Sequence, residues 1–254
     1  MTSIPACDVA VIGGGVVGAS VLYHLTKKGW KDVVLIERSE LTSGSTWHAA
    51  GGFHTLNGDP NMAKLQSYTI DLYKEIEEIS GQSTSFHLTG GMFLACTPER
   101  MEALKIMQSK ERLLGIDTEL LDPQEAHRRL PIMDPDQFLG ALYTPLHGHL
   151  DPSGTTHAYA KAARINGAEV YLRNPVTELA HRPDGTWDVV TKDGTIHADH
   201  VVNAGGLWAR EVGRMVGLEL PVTGEHALRN SVRMELRTPE SMRLRAMTLP
   251  SSQL

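Results

Sequence analysis

A short glycine-rich run near the N-terminus has the spacing of a nucleotide site. Gly13-Gly14-Gly15-Val16-Val17-Gly18 puts Gly13, Gly15 and Gly18 in the three glycine positions of the dinucleotide fingerprint. Each position has its own steric demand: a tight turn, backbone approach to a pyrophosphate, and close packing of helix on strand. The pyrophosphate would rest against the N-terminus of the following helix, where backbone N–H groups lack intrahelical partners. Glu37 stands 19 residues beyond Gly18, the place for a carboxylate that takes both ribose hydroxyls and repels a 2′-phosphate. A bare glycine turn also serves as a tight strand-to-helix link, and these residues alone do not separate FAD from NAD.

The flanking elements suit the motif. Asp8 to Ile12 is a β-branched run that predicts a buried parallel strand. Val17, Val21, Leu22 and Leu25 recur at helical spacing over Val16 to Lys28, and Gly29 supplies a left-handed stop. Val33 to Glu37 predicts a second buried strand, which completes a βαβ unit. Residues 39–60 are rich in Ser, Thr and Gly without a period, so they predict a long functional loop. A helix over Asn61 to Ser80 should bury Leu65, Tyr68, Leu72, Ile76 and Ile79 on one face. A strand over Met92 to Cys96 follows, with Cys96 a buried small residue. Thr97-Pro98 then starts a helix that runs to about Leu114. Leu139 to Thr144 reads as a strand, and Asp151-Pro152-Ser153 opens a small-residue helix to Gly167. In that position Asp151 reads as a helix cap rather than a catalytic acid. Strands over Glu169 to Leu172, Val176 to Ala180, Thr186 to Thr191 and His200 to Asn203 are divided by the turns Pro183-Asp184-Gly185 and Lys192-Asp193-Gly194.

Ser43-Gly44-Ser45-Thr46-Trp47-His48-Ala49-Ala50-Gly51-Gly52 begins six residues after Glu37, close enough to fold back along a bound dinucleotide. Its small donor-rich residues suit a pyrophosphate and a ring system. Gly44 to Gly51 resembles the flavin-attachment segment of the dimethylglycine and sarcosine dehydrogenases, which belong to the D-amino-acid-oxidase-like flavoproteins. Gly148 to Pro152, Asn174 to Leu179, Gly185 to Val189 and Val201 to Ala209 resemble further segments of that family, and the likeness covers roughly residues 6–225.

The resemblance implies FAD, with the His48 imidazole bonded to the 8α-methyl carbon of the isoalloxazine; noncovalent FAD is the alternative within the same fold. Ser45 and Thr46 would contact the cofactor. Val176 would meet the adenine through its backbone, against the simpler reading of a core strand residue, and Gly205 would close a third strand on the dinucleotide. The implied fold is α/β: an FAD-binding Rossmann-like parallel sheet with inserted antiparallel hairpins, plus part of a smaller α+β substrate domain. Residues 1–85 and 150–217 would form the FAD-binding domain, and 86–149 with 218–226 the partial substrate domain. The implied reaction moves hydride from the N-methyl carbon of a small N-methylated glycine derivative to flavin. The iminium product is then taken up by water or, in full-length relatives, by tetrahydrofolate; the electron acceptor is not implied. His226 falls near the position of an active-site base.

Residues 227–254 depart from that pattern. They hold five arginines against two acids, with no Gly, Asp, Lys or aromatic residue, and make an atypical basic tail on a chain that reads as C-terminally truncated. A catalytically incomplete FAD-binding remnant or regulatory module is therefore the alternative to an active oxidoreductase, and an NAD-dependent dehydrogenase, which needs only the glycines, is the weaker third. The formal charge of −6 over 254 residues argues against nucleic acid or anionic lipid as the main partner. No apolar run reaches the ~18 residues of a membrane span, and the N-terminus has no basic, apolar leader, so the expected location is cytoplasmic. The two cysteines cannot build a disulfide framework. His147 and His149 alternate like strand residues without a third ligand nearby, which speaks against metal.

Overall fold

The computed structural model describes residues 6–55, 57 and 59–223. The first elements are β1 (Cys7–Ile12), α1 (Val16–Lys27), β2 (Val33–Ile36), a 3-10 turn (Thr46–His48), β3 (Gly52–Phe53) and α2 (Pro60–Ser80). A second group follows: β4 (Gly91–Ala95), α3 (Pro98–Leu113), β5 (Glu119–Leu121), α4 (Pro123–Arg129), β6 (Gly140–Thr144) and β7 (Gly148–His149). The chain then forms α5 (Pro152–Ile165), β8 (Glu169–Tyr171), β9 (Val176–His181), β10 (Trp187–Thr191), β11 (Gly194–Asn203), a 3-10 turn (Gly206–Trp208) and α6 (Ala209–Arg214).

Six strands make the main sheet in the order β8-β2-β1-β11-β10-β9. β8, β2, β1 and β11 run parallel, whereas β9, β10 and β11 meander antiparallel. The hairpins predicted from the two Asp-Gly turns are thus inserted before the strand that returns beside β1. The β-branched runs are buried on both faces, as a sheet covered on both sides requires. Val9, Val11, Val33 and Leu35 face α1, α2 and α5, while Ala10, Ile12, Val34 and Ile36 face Leu179, Val189, Ile196 and Val212. Ala158, Ala162 and Ala163 of α5 sit in the first of these clusters with Ala19 of α1; alanines there let the two helices approach closely.

Residues 91–144 supply a second, three-stranded antiparallel sheet in the order β4-β6-β5. A two-stranded ribbon of β3 and β7 pairs Gly52 with His149 and Phe53 with Gly148. It therefore joins the end of the loop that carries His48 to the segment that follows β6.

Helix starts share one local device. Asp59, Thr97, Asp122 and Asp151 each stand before a proline, and each side chain accepts backbone N–H bonds from the first turn of α2, α3, α4 or α5. A capping oxygen before a proline that needs no N–H partner is a strong start signal. Asp151 is thus placed as a cap, through bonds of 3.0 Å from Ser153 N and 2.9 Å from Gly154 N.

Two local expectations fail. In α2, Leu72 and Ile76 are buried, but Leu65, Tyr68 and Ile79 are exposed, and the buried stripe runs instead through Ala63, Ile70 and Ser80. The helix is apolar on more than one face, so periodicity alone left its rotation open. Cys96 is exposed, because the pairing of β4 with β6 ends at Ala95 opposite Gly140 and leaves Cys96 in the link to α3.

His147, just before the ribbon, is buried with Nε2 unpartnered. Burial, with a smaller contribution from the His54 charge, lowers its pKa to about 4. Since the folded-state pKa lies below the unfolded value of ~6.5, the stabilisation is complete above pH ~6.5 and is lost as pH falls towards 4, with a ceiling of about 3 kcal/mol. The melting temperature of the native chain should therefore fall more steeply between pH 7 and pH 5 than that of His147→Gln. Parallel melting curves would show that His147 does not set the acid limit.

Candidate cofactor site

The glycine turn is defined by what a side chain would strike. Gly13 has φ +116°, and a Cβ there would lie 2.4 Å from the Ala204 carbonyl oxygen; a Cβ on Gly18 would lie 1.9 Å from the Gly13 carbonyl oxygen. At Gly15 the nearest atom would be Thr46 Oγ1 at 3.1 Å. Ala204 N donates to Ile12 O at 2.8 Å, which fixes the end of β11 against the turn. The three predicted glycines therefore hold together a strand end, a helix start and a distant loop.

Gly15 caps α1 with extended backbone and no side-chain bond, and no acidic residue stands in the first turn. The positive end of the helix macrodipole is left for an anion. Thr46 reaches it from the loop, its Oγ1 accepting Val16 N–H at 3.0 Å. Thr42 N also donates to Gly14 O at 2.9 Å, and Thr42 adopts φ +70°, a left-handed conformation unusual for a branched residue. The loop is thus tied to the glycine turn at two points.

Glu37 is buried at the end of β2. Its Oε2 accepts Gly14 N–H at 2.6 Å and its Oε1 accepts Ser39 N–H at 2.8 Å. Asn174 N donates to Glu37 O at 2.9 Å, so the segment entering β9 meets the end of β2. Val176 itself starts β9, half-buried, and packs against the core cluster that contains Ile36.

His48 closes the 3-10 turn and is exposed. Its backbone N–H donates to Ser45 O at 3.2 Å, and its Nδ1 lies 3.2 Å from Gly44 O. A carbonyl can only accept, so this contact calls for the proton on Nδ1. Ser45 acts here through its carbonyl. Gly205 follows Ala204; its N–H donates to Asn203 Oδ1 at 3.1 Å, and a Cβ on it would crowd Ala209 at 3.2 Å. Val17, Trp47 and Leu207 add large exposed apolar surface next to these anchors in sequence. His226 lies outside the described residues.

No sequence signal marks Trp208 or Arg38. The Arg38 guanidinium sits 3.8 Å from the centre of the Trp208 ring, and a Cβ on Gly44 would lie 3.3 Å from Trp208 Cζ3. Both partners come from separate segments, so no local spacing announces the contact.

A helix N-terminus free of acids, a turn that admits no side chain and an apolar rim fit a dinucleotide that carries a flat ring system. The comparisons with known proteins agree. Rat dimethylglycine dehydrogenase is 44% identical over 85% of this chain and 25% of its own length. Human sarcosine dehydrogenase is 37% identical over 86% of this chain and 24% of its own. The chain thus spans about a quarter of the length of these relatives. Both are mitochondrial by name, a different compartment from the cytoplasm expected from the N-terminal residues. L-proline dehydrogenase from P. horikoshii superposes with a TM-score of 0.77 at 29% identity, over 85% of this chain and 57% of that one. Among the described residues no helix is long and apolar enough to cross a membrane. The match to the family described as DAO, FAD dependent oxidoreductase, covers residues 8–246, and so runs through most of residues 227–254, where the sequence predicts a departure from the family. The chain belongs to this family of FAD dependent oxidoreductases.

Proposed function

We propose that this chain holds FAD, covalently through His48, as the cofactor-binding part of an oxidoreductase that acts on small N-methylated glycine derivatives. The observation that carries the reading is the meeting of the Gly13–Gly18 turn with the loop of Thr46 and His48 at the N-terminus of α1. The likeness to enzymes named for dimethylglycine and sarcosine supports the substrate class.

The first turn of α1 would hold the pyrophosphate with the N–H groups that Thr46 does not take. Glu37, kept in place by the Gly14 and Ser39 N–H groups, would take the ribose hydroxyls. Gly205 would keep the end of β11 low enough for the dinucleotide, and the Val176 backbone would meet the adenine. Ser45 and Thr46 set the turn that presents His48. The bound flavin would supply a two-electron acceptor for hydride from the N-methyl carbon. Residues 1–85 and 150–217 make the FAD-binding part in this reading, and the β4-β6-β5 sheet belongs to the substrate side.

Anaerobic addition of dimethylglycine or sarcosine to the purified yellow protein should bleach the flavin absorbance. If dithionite bleaches it and neither amine does, the chain holds the cofactor without turning over these substrates.

A further inference from the structure

Trp208 stands at a junction of three segments. Asn203, the last residue of β11, staples the turn that carries it: Asn203 Nδ2 donates to Ala209 O at 2.8 Å and Asn203 Oδ1 accepts Gly205 N–H at 3.1 Å. The Trp208 backbone N–H closes the turn on Gly205 O at 2.9 Å. The half-buried indole thus projects from a braced point. Arg38, immediately after Glu37, lies over its ring, a cation–π arrangement worth roughly 0.5–1 kcal/mol at exposed sites. A Cβ on Gly44 would lie 3.3 Å from Cζ3, so the indole stands over Gly44 where a side chain would otherwise project, and the carbonyl of Gly44 is the group that holds His48 Nδ1.

We infer that Trp208 is a positioning residue for His48: its indole, braced by Arg38, fixes Gly44 and through that carbonyl fixes the imidazole that bonds to the flavin. The inference rests on the reading that His48 carries the flavin. Thr46 anchors the same short turn on Val16 N–H, so the stretch from Gly44 to Thr46 is held at both ends; the Trp47 ring lies against the imidazole at 3.6 Å between centroids, and the Gly44 carbonyl held under Trp208 supplies the one hydrogen bond to the His48 ring.

An imidazole nitrogen lone pair forms the bond to the 8α carbon, that carbon loses a proton and the imidazole loses its N–H proton. The electron pair released would pass to the flavin, when bound, and from it to dioxygen, which would leave as hydrogen peroxide with the two protons. Such bond formation is sensitive to orientation: a misplacement of ~1 Å can cost on the order of a hundredfold in rate.

The test compares the full chain with Trp208→Ala, Trp208→Phe and Arg38→Met, each prepared without flavin and then incubated with FAD in air. FAD retained on desalting and FAD that survives acid precipitation are followed separately over time. Trp208→Ala should retain FAD much as the native chain does but attach it at least about tenfold more slowly. Trp208→Phe should restore most of the rate, and Arg38→Met, an exposed site that leaves the core untouched, should slow attachment several-fold. Attachment by Trp208→Ala at the native rate overturns the inference alone, as does a loss of retained FAD that matches the loss of attachment. A native chain that never attaches FAD overturns both the inference and the reading of His48 on which it rests.

Discussion

Gly18→Ala should abolish FAD retention and cost the fold substantial stability. The added Cβ would lie 1.9 Å from the Gly13 carbonyl oxygen, and both partners are backbone, so no side chain can swing aside. Relief requires either that α1 move away from β1 or that the Gly13 turn open. The first undoes the packing of Ala19, Leu22 and Tyr23 on Val9 and Val11; the second moves the N–H groups that would hold the pyrophosphate. Overpacking of this kind costs roughly 1–3 kcal/mol, occasionally more. If ~3 kcal/mol falls on the bound state, affinity drops about a hundredfold. Isothermal titration of the flavin-free proteins with FAD, alongside their melting curves, checks both parts. Native affinity in Gly18→Ala would mean that the turn is not where the cofactor binds.

His48→Ala should separate binding from attachment. The side chain is exposed and makes one hydrogen bond, to Gly44 O, so its loss should change stability by no more than ~0.5 kcal/mol, the usual range for a surface substitution. The glycine turn, Thr46 and Glu37 all remain. The variant should therefore purify yellow or take up added FAD, yet release all of it on acid precipitation, whereas the native chain keeps a fluorescent band on a denaturing gel. Persistence of that band in His48→Ala would assign the bond to another residue.

Local signals made the βαβ unit and the glycine turn legible in the sequence. Each glycine has a distinct steric cause, and each β-branched run is buried on both faces, so pattern and structure have one solution there. The Asp-Pro and Thr-Pro pairs were equally direct: Thr97 and Asp151 gave their helices at once, and the same chemistry at Asp122-Pro123 marks α4, which the apolar pattern alone does not show. Rotation of α2 was not legible, because Leu65 and Tyr68 continue an apolar period that the fold leaves outside. Nor was the exposure of Cys96, which depends on β4 ending one residue early. Around the glycine turn, the sequence offered candidate residues but not their couplings. Thr46 on Val16, Glu37 on Gly14, and Trp208 between Arg38 and Gly44 join segments far apart in the chain, and a pair of contacts of that kind has no spacing of its own.

In the proposed arrangement, the loop at the N-terminus of α1 carries the flavin on His48. Trypsin should release this loop as residues 39–64, bounded by Arg38 and Lys64. Mass spectrometry of the native protein's digest should find the flavin mass on that peptide, with fragmentation placing it on His48 rather than His54. A digest in which this peptide carries no flavin, while FAD is recovered free or on a different peptide, would contradict the account.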